Sequence, residues 1–304
     1  MIGFLKNWAL PIAMITGAAG YPLFLKLSFL TPYLIFTMLL LTFCKISPDD
    51  MRPRRMHLWL LTIQVLGSVA VYFALLPLGK AVAEGAMVCV ICPTATAAAV
   101  ITHKLGGNAA SLTTYTLIGN IGTAIAIPLF FPAIEPHAQI SFATSFVLIL
   151  GKVFPLLICP FIAAMLLRFF VPKAHAALQR LSAGAFYLWT VALAIVTAQT
   201  LSSILEDRSQ PGIKIITAAA TLVVCLLQFI TGKTIGSRYG ERISAGQALG
   251  QKNTIFAIWM AHTYLDPLSA IGPGAYVLWQ NIVNSRQLRR KAKRDARKAI
   301  IEQP

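Results

Sequence analysis

The chain has 304 residues, 57% of them hydrophobic and 12% charged, with a mean hydropathy of +0.71. A soluble domain carries about a quarter charged residues, so a soluble globular fold is excluded. The formal charge of +16 does not mark a nucleic-acid binder, because eight of the 26 Lys/Arg lie in one stretch, "RQLRRKAKRDARK" (Arg286 to Lys298), and most of the others flank apolar runs.

Apolar runs of roughly 17–25 residues recur along the chain, as membrane-spanning helices require. Such helices satisfy their own backbone hydrogen bonds, which lipid cannot do. The short alternating segments of an outer-membrane barrel are not present. In chain order the runs predict helices near residues 5–23, 29–46, 56–78, 82–104, 108–132, 142–170, 181–205, 212–235, 243–264 and 268–287. The opening "MIGFLKNWALPIAMITGAAG" is similar to a signal peptide, but the many later spans make it the first transmembrane helix. "SPDDMRPRR" (Ser47 to Arg55) and "SQPG" (Ser209 to Gly212) are breaks by their turn residues. Ten spans put both termini on one side. That side holds twenty Lys/Arg, including the eight of the tail; the other holds Lys26, Lys80, Arg208 and Lys214. The imbalance places both termini in the cytoplasm of a cell whose inner membrane the chain crosses, with the tail against anionic lipid. Cys44, Cys89, Cys92, Cys159 and Cys225 lack metal-site spacing and read as reduced packing residues.

"YTLIGNI" (Tyr115 to Ile121) and "YVLWQNI" (Tyr276 to Ile282) share the pattern Y-x-L-x-x-N-I, five spans apart. Upstream of them stand His103 and His262. Gln64 in the third span is echoed by Gln228 in the eighth. A five-helix unit used twice is inverted in the membrane, because five is odd. Inverted repeats with interrupted helices at matching positions point to the binding site of a secondary transporter.

Spans four and nine carry the interruptions. Pro93 in "ICPTATAAAV" removes an amide and clashes with the preceding turn, and Thr94 and Thr96 can bond the groups freed there. In span nine, Gly246 and Gly250 flank "QAL", and Gln251, Lys252, Asn253 and Thr254 follow. If both runs unwind they cross near the midplane, where half-helix N-termini favour an anion.

"CPTATAAAVITHKLGGNAASL" and "GQALGQKNTIFAIWMAH" resemble the C-P-G-G-T-A-S-N-V-M-T…G-N and E-x-G-x-Q-N motifs of the bile acid:sodium symporter family. The resemblance implies ten helices with spans four and nine crossing. It implies a panel domain of helices 1–2 (residues 1–46) and 6–7 (139–205), and a core domain of helices 3–5 (56–132) and 8–10 (212–287). Residues 288–304 remain as a basic cytoplasmic tail. It also implies sodium-driven import of organic anions. The family's sodium ligands fall on Ala98, Ala99, Leu112 and Ala248, which have no side-chain oxygen, and its motif glutamine falls on Lys252. Only Gln64 and the family's asparagine, Asn253, survive clearly, and Thr116 matches the family's threonine in span five. Thr96 matches the threonine that lines the family's substrate cavity with that asparagine.

Sodium needs about five or six oxygen ligands, and an ammonium a few ångströms away repels it. Sodium coupling is therefore expected to be lost. A charge at a helix centre costs about 2.5–3.5 kcal/mol and marks function; Lys252 is expected to replace the charge of the sodium ion, to hold unwound carbonyls of the crossing and to offset an incoming anion. Burial lowers a lysine's pKa and a bound anion raises it. Proton-coupled symport is thus one outcome; a uniporter or exchanger with a permanently charged Lys252 is the other. The expected function is alternating-access transport of an organic anion, a carboxylate or bile-acid-like molecule, without a bound cofactor. Thr94, Thr96, Lys252 and Asn253 form the expected substrate site, with Gln64, Thr116 and Gln251 in support. His103 and His262 read as interfacial or as proton-relay groups, and Glu84 as interfacial. Lys152 either snorkels or touches substrate. Three alternatives stay open: sodium held by backbone carbonyls, a membrane sensor that does not transport, and a membrane-embedded enzyme using Asp49–Asp50.

Overall fold

The computed structural model describes residues 2–46, 51–135, 141–206 and 211–301; Asp49–Asp50 and Arg208 lie outside them. Among these residues the chain is helical, with a single isolated β-bridge. The helices are α1 (Ile2–Ala19), α2 (Tyr21–Lys26), α3 (Thr31–Phe43), α4 (Arg55–Leu75), α5 (Lys80–Ile91), α6 (Ala98–Leu105), α7 (Ala109–Ile134), α8 (Phe142–Phe170), α9 (Pro172–Leu181), α10 (Ala185–Glu206), α11 (Pro211–Ser237), α12 (Arg242–Gly250), α13 (Thr254–Tyr264) and α14 (Ile271–Ile301). Five of them, α4, α7, α8, α10 and α11, are long and apolar enough to cross a membrane. Leu66 and Phe73 on α4, Phe169 on α8 and Ile215 and Ile230 on α11 point outward, as lipid-facing side chains do.

The predicted fourth and ninth spans each arrive as two short helices, α5 with α6 and α12 with α13. Proline ends α5: the residue before it is pushed out of the helical region, and Cys92 takes φ −60, ψ 147. Beyond the gap, α6 stops at Gly106, whose φ of 83 closes the turn while Gly107 N donates to Thr102 O. Asn108 then caps α7 by accepting from Ser111 N.

The glycines of the ninth span do something other than the sequence predicts. The helix α12 runs through Gly246 to Gly250 and unwinds only at residues 251–253. The glycines serve packing against α11. A Cβ on Gly250 would lie 2.4 Å from the Phe229 ring, and one on Gly232 of α11 would lie 2.3 Å from Ala245 O. Small residues bring backbones close where lipid gives no hydrophobic drive for association. The contact of α5 with α14 works the same way, since a Cβ on Gly272 would lie 2.7 Å from the Gly85 backbone.

Helices α1, α3, α8 and α10 pack as one group. A second group comprises α4, α5, α7, α11, α12 and α14; contacts of α7 with α8 and of α10 with α14 join the two, and α13 packs against α3 and α10 of the first and α5 and α14 of the second. Helix α14 continues through the basic stretch as one helix of 31 residues. Its Lys, Arg, Ala and Leu are good helix formers with no Gly or Pro after Gly274.

Candidate functional site

Two unwound segments, 92–97 and 251–253, run past each other antiparallel, with Thr94 opposite Lys252. Ala95 N donates to Gln251 O and Asn253 N donates to Pro93 O, both at 2.9 Å. The pairing satisfies amides and carbonyls that the helix breaks set free.

The C-terminal carbonyls of α5 are the electronegative end of a helix dipole. Lys252 covers them. Its Nζ donates to Val90 O at 2.8 Å and to Cys92 O at 3.0 Å, and the residue is 1% exposed. Between these two carbonyls, Ile91 O accepts from Gln64 Nε2 at 2.9 Å and from Thr123 Oγ1 at 2.9 Å. Cys89 O accepts from Gln228 Nε2 at 3.1 Å. The end of α12 is treated similarly: Ala248 O accepts from Thr94 Oγ1 at 2.8 Å and Gly250 O from Tyr276 Oη at 2.9 Å. Lys252 itself is fixed from behind, its own N donating to Gln280 Oε1 at 2.8 Å.

Two glutamine–tyrosine pairs flank the crossing. Tyr115 Oη donates to Gln64 Oε1 at 2.6 Å, and Gln228 Nε2 donates to Tyr276 Oη at 2.8 Å. Both tyrosines open the repeated Y-x-L-x-x-N-I stretch, and both are fully buried.

A cavity of about 650 Å³ lies against one side of the crossing. Its polar wall is Thr96, Gln251, Asn253, Gln280, Asn281 and Asn284. The facing wall is apolar, with Ile35 and Met38 of α3 and Phe186 and Trp189 of α10; Lys45 and Ser182 also border it. The wall therefore joins the two helix groups. A volume of several hundred Å³ with an apolar lining and a few convergent polar groups is the ordinary form of a small-molecule site.

The structure brings Thr96, Gln251 and Asn253 together on this wall. Asn253 Oδ1 is also the N-cap of α13, accepting from Phe256 N at 3.2 Å, so its amide nitrogen is the end left for a ligand. Lys252 borders the cavity but sends its ammonium away from it, into α5. Thr94 is not on the wall; its hydroxyl is spent on Ala248. Thr116 donates to Leu112 O within its own helix, and Gln64 sits behind the crossing. Lys152 is exposed on α8 and does not line the cavity; His103 is exposed near the end of α6. Glu84, expected at an interface, is fully buried, with Oε2 accepting from Asp266 N at 3.1 Å and Oε1 3.8 Å from Lys80 Nζ.

Sequence reasoning missed Gln280, Thr123, and the hydrogen-bonding roles of Tyr115, Tyr276 and Gln228. It also missed a cluster where α4, α7 and α12 begin, in which buried Glu241, His57 and Ser111 meet the exposed Arg54. There Arg54 pairs with Glu241 at 2.6 Å, and His57 accepts from Arg54 N and meets Ser111 Oγ at 3.0 Å. A cluster drawn from three distant stretches leaves no spacing to read; the tyrosines at least headed a repeat.

At the positions where the resemblance puts sodium ligands, Ala98, Leu112 and Ala248 are buried alkyl side chains. Ala99 borders the cavity. Ala248 O already accepts a hydrogen bond, and the ammonium of Lys252 stands at the crossing. This donor set does not fit a sodium ion.

Apolar helices of membrane length, with two broken helices crossing beside a polar-walled cavity, define a helical membrane protein. The chain belongs to the Sodium Bile acid symporter family, whose model matches residues 22–207. The match stops short of α12 and therefore of Lys252. The "Uncharacterized sodium-dependent transporter YocS" of Bacillus subtilis (strain 168) is 24% identical over 207 residues, 67% of this chain. The alignment spans only 62% of that relative's own length, less than two thirds of it.

Proposed function

We propose that this chain carries a small organic anion, a carboxylate or bile-acid-like molecule, by alternating access and without sodium, Lys252 standing in for the ion's charge. The observation that carries the reading is the Lys252 ammonium bridging Val90 O and Cys92 O at the crossing. In this reading the chain crosses the membrane ten times, as two inverted five-helix repeats with both termini cytoplasmic. The panel comprises residues 1–46 and 139–205 and the core 56–132 and 212–287. The matched Gln64–Tyr115 and Gln228–Tyr276 pairs support the repeat. The polar wall of Thr96, Gln251 and Asn253 receives the substrate; Thr94, Gln64 and Thr116 hold the frame behind it.

With the cation fixed in the protein, the crossing needs no ion to enter before the anion. Transport is then driven either by proton uptake or by the anion gradient alone. The basic stretch of α14 lies near anionic lipid, and no enzymatic step is required.

The name of the Bacillus subtilis relative favours a second reading, sodium coupling through backbone carbonyls. Uptake of labelled carboxylates and steroid acids into proteoliposomes separates the two. Equal uptake with an inward sodium or potassium gradient is expected. Lys252→Gln should lower uptake at least tenfold, because the amide cannot supply the charge. Uptake that requires sodium, or a Lys252→Gln variant with unchanged uptake, overturns the proposal.

A further inference from the structure

A second cavity, of about 610 Å³, lies between α1 and α14 and shares only Asn281 with the first. One part of it is apolar, formed by Leu10 of α1 with Leu278 and Ile282 of α14. One to three helical turns further along α14, the wall becomes Arg286, Arg289, Arg290 and Lys293. Their spacing of i, i+3, i+4 and i+7 puts all four on one face of the helix. No acidic side chain lines the cleft. Asp295, one turn on, takes Lys291, which is not in the lining. Among the described residues none of the four cleft cations makes a salt bridge, and all four are exposed.

Four like charges within two turns repel one another and call for an anion. The order along the helix says which kind. Alkyl side chains come first and guanidinium groups follow, the same order as acyl chain and phosphate at a membrane surface. Arginine is suited to phosphate because its planar fork binds two oxygens at once, and Ser285 at the boundary adds a hydroxyl.

We propose that this cleft is a binding site for one anionic phospholipid, its phosphate on Arg286, Arg289, Arg290 and Lys293 and its acyl chain against Leu10, Leu278 and Ile282. The site is more than the diffuse attraction of a basic stretch to a charged leaflet, because it uses one face of α14 and a residue of another helix. It rests on the membrane character of the chain and not on transport.

Charge-matched variants test it. Arg286→Gln/Arg289→Gln removes two charges from the cleft, and Arg294→Gln/Arg297→Gln removes two from the same helix outside it. All four positions are exposed, so both variants keep the fold. Native mass spectrometry of purified protein measures retention of added phosphatidylglycerol against phosphatidylcholine. Wild-type protein should retain phosphatidylglycerol preferentially, as a single copy. The cleft variant should lose retention about 25-fold, from a factor of about five for each basic side chain, and the outer variant less than twofold. Glycerol 3-phosphate at the same concentration should not displace the lipid. Equal losses in the two variants, or no preference for the anionic lipid, would overturn the site. Displacement by glycerol 3-phosphate would show a soluble phosphate to be the ligand and overturn the lipid.

Discussion

At Lys252 a single side chain supplies the donors for two carbonyls at the end of α5. A hydrogen bond from a charged donor contributes about 1.5–3 kcal/mol, and a buried carbonyl left without its donor costs about 1–3 kcal/mol. Lys252→Met fills the space but supplies no donor. Its melting temperature in detergent should fall well below that of wild type, and Lys252→Gln should recover part of the difference through its amide. The tyrosines give a graded comparison. Tyr276 Oη both donates to Gly250 O and accepts from Gln228, whereas Tyr115 Oη has the one bond to Gln64. Tyr276→Phe is therefore expected to cost about twice as much as Tyr115→Phe, at about 1 kcal/mol per bond, read as the ratio of the two shifts in melting temperature. Lys252 was legible in the sequence because a charge inside an apolar run is expensive. That it would hold carbonyls of the crossing was legible too, but not which ones, since carbonyl oxygens have no letter in a sequence and Val90 lies 162 positions away.

At the level of elements, proline announced its break and glycine misled. Pro93 removes a donor wherever it stands, but Pro128 and Pro132 lie inside α7 and Pro155 and Pro160 inside α8, so the break at α5 also depends on the partners that take up the freed groups. A glycine permits unwinding and also permits close approach, and the choice is made by what lies opposite. For Gly250 that is the Phe229 ring, and for Gly232 the backbone of α12. Gly232→Ala should accordingly destabilise by about 1–3 kcal/mol through overpacking. Gly246→Ala, whose Cβ would first meet side-chain carbons of Lys233, Cγ at 2.6 Å, and no backbone among its three nearest atoms, should cost less. Equal shifts in thermal melting would show that α11 and α12 yield freely. The apolar run of α8 was read with both ends in place, residues 142–170; α14 ran on past its expected end at 287, because a helix of good formers does not stop where its hydrophobicity does.

For the molecule as a whole, two groups of helices meet along the cavity, with the crossing on one side and α3 and α10 on the other. Thr96 stands on the wall of that cavity, whereas Cys44, Cys89, Cys92 and Cys225 are buried. In a Cys159→Ala background, Thr96→Cys should react with a membrane-impermeant maleimide at least tenfold faster than the native thiols, and a bound carboxylate should slow it. No difference from the background would place the cavity out of reach of water. The grouping of helices was not written in composition or periodicity, which reports what faces lipid and not which helices move together.

Helix α14 has 31 residues, about 46 Å at about 1.5 Å each, and exceeds a hydrocarbon slab of roughly 30 Å. Its inner part is locked to α5 and α11, and its outer part has no hinge. It therefore behaves as a pointer: a rocking of about 10° at its base sweeps the far tip through roughly 8 Å of a rod that long. A dye on Arg297 would report in aqueous solution what the buried crossing does out of sight.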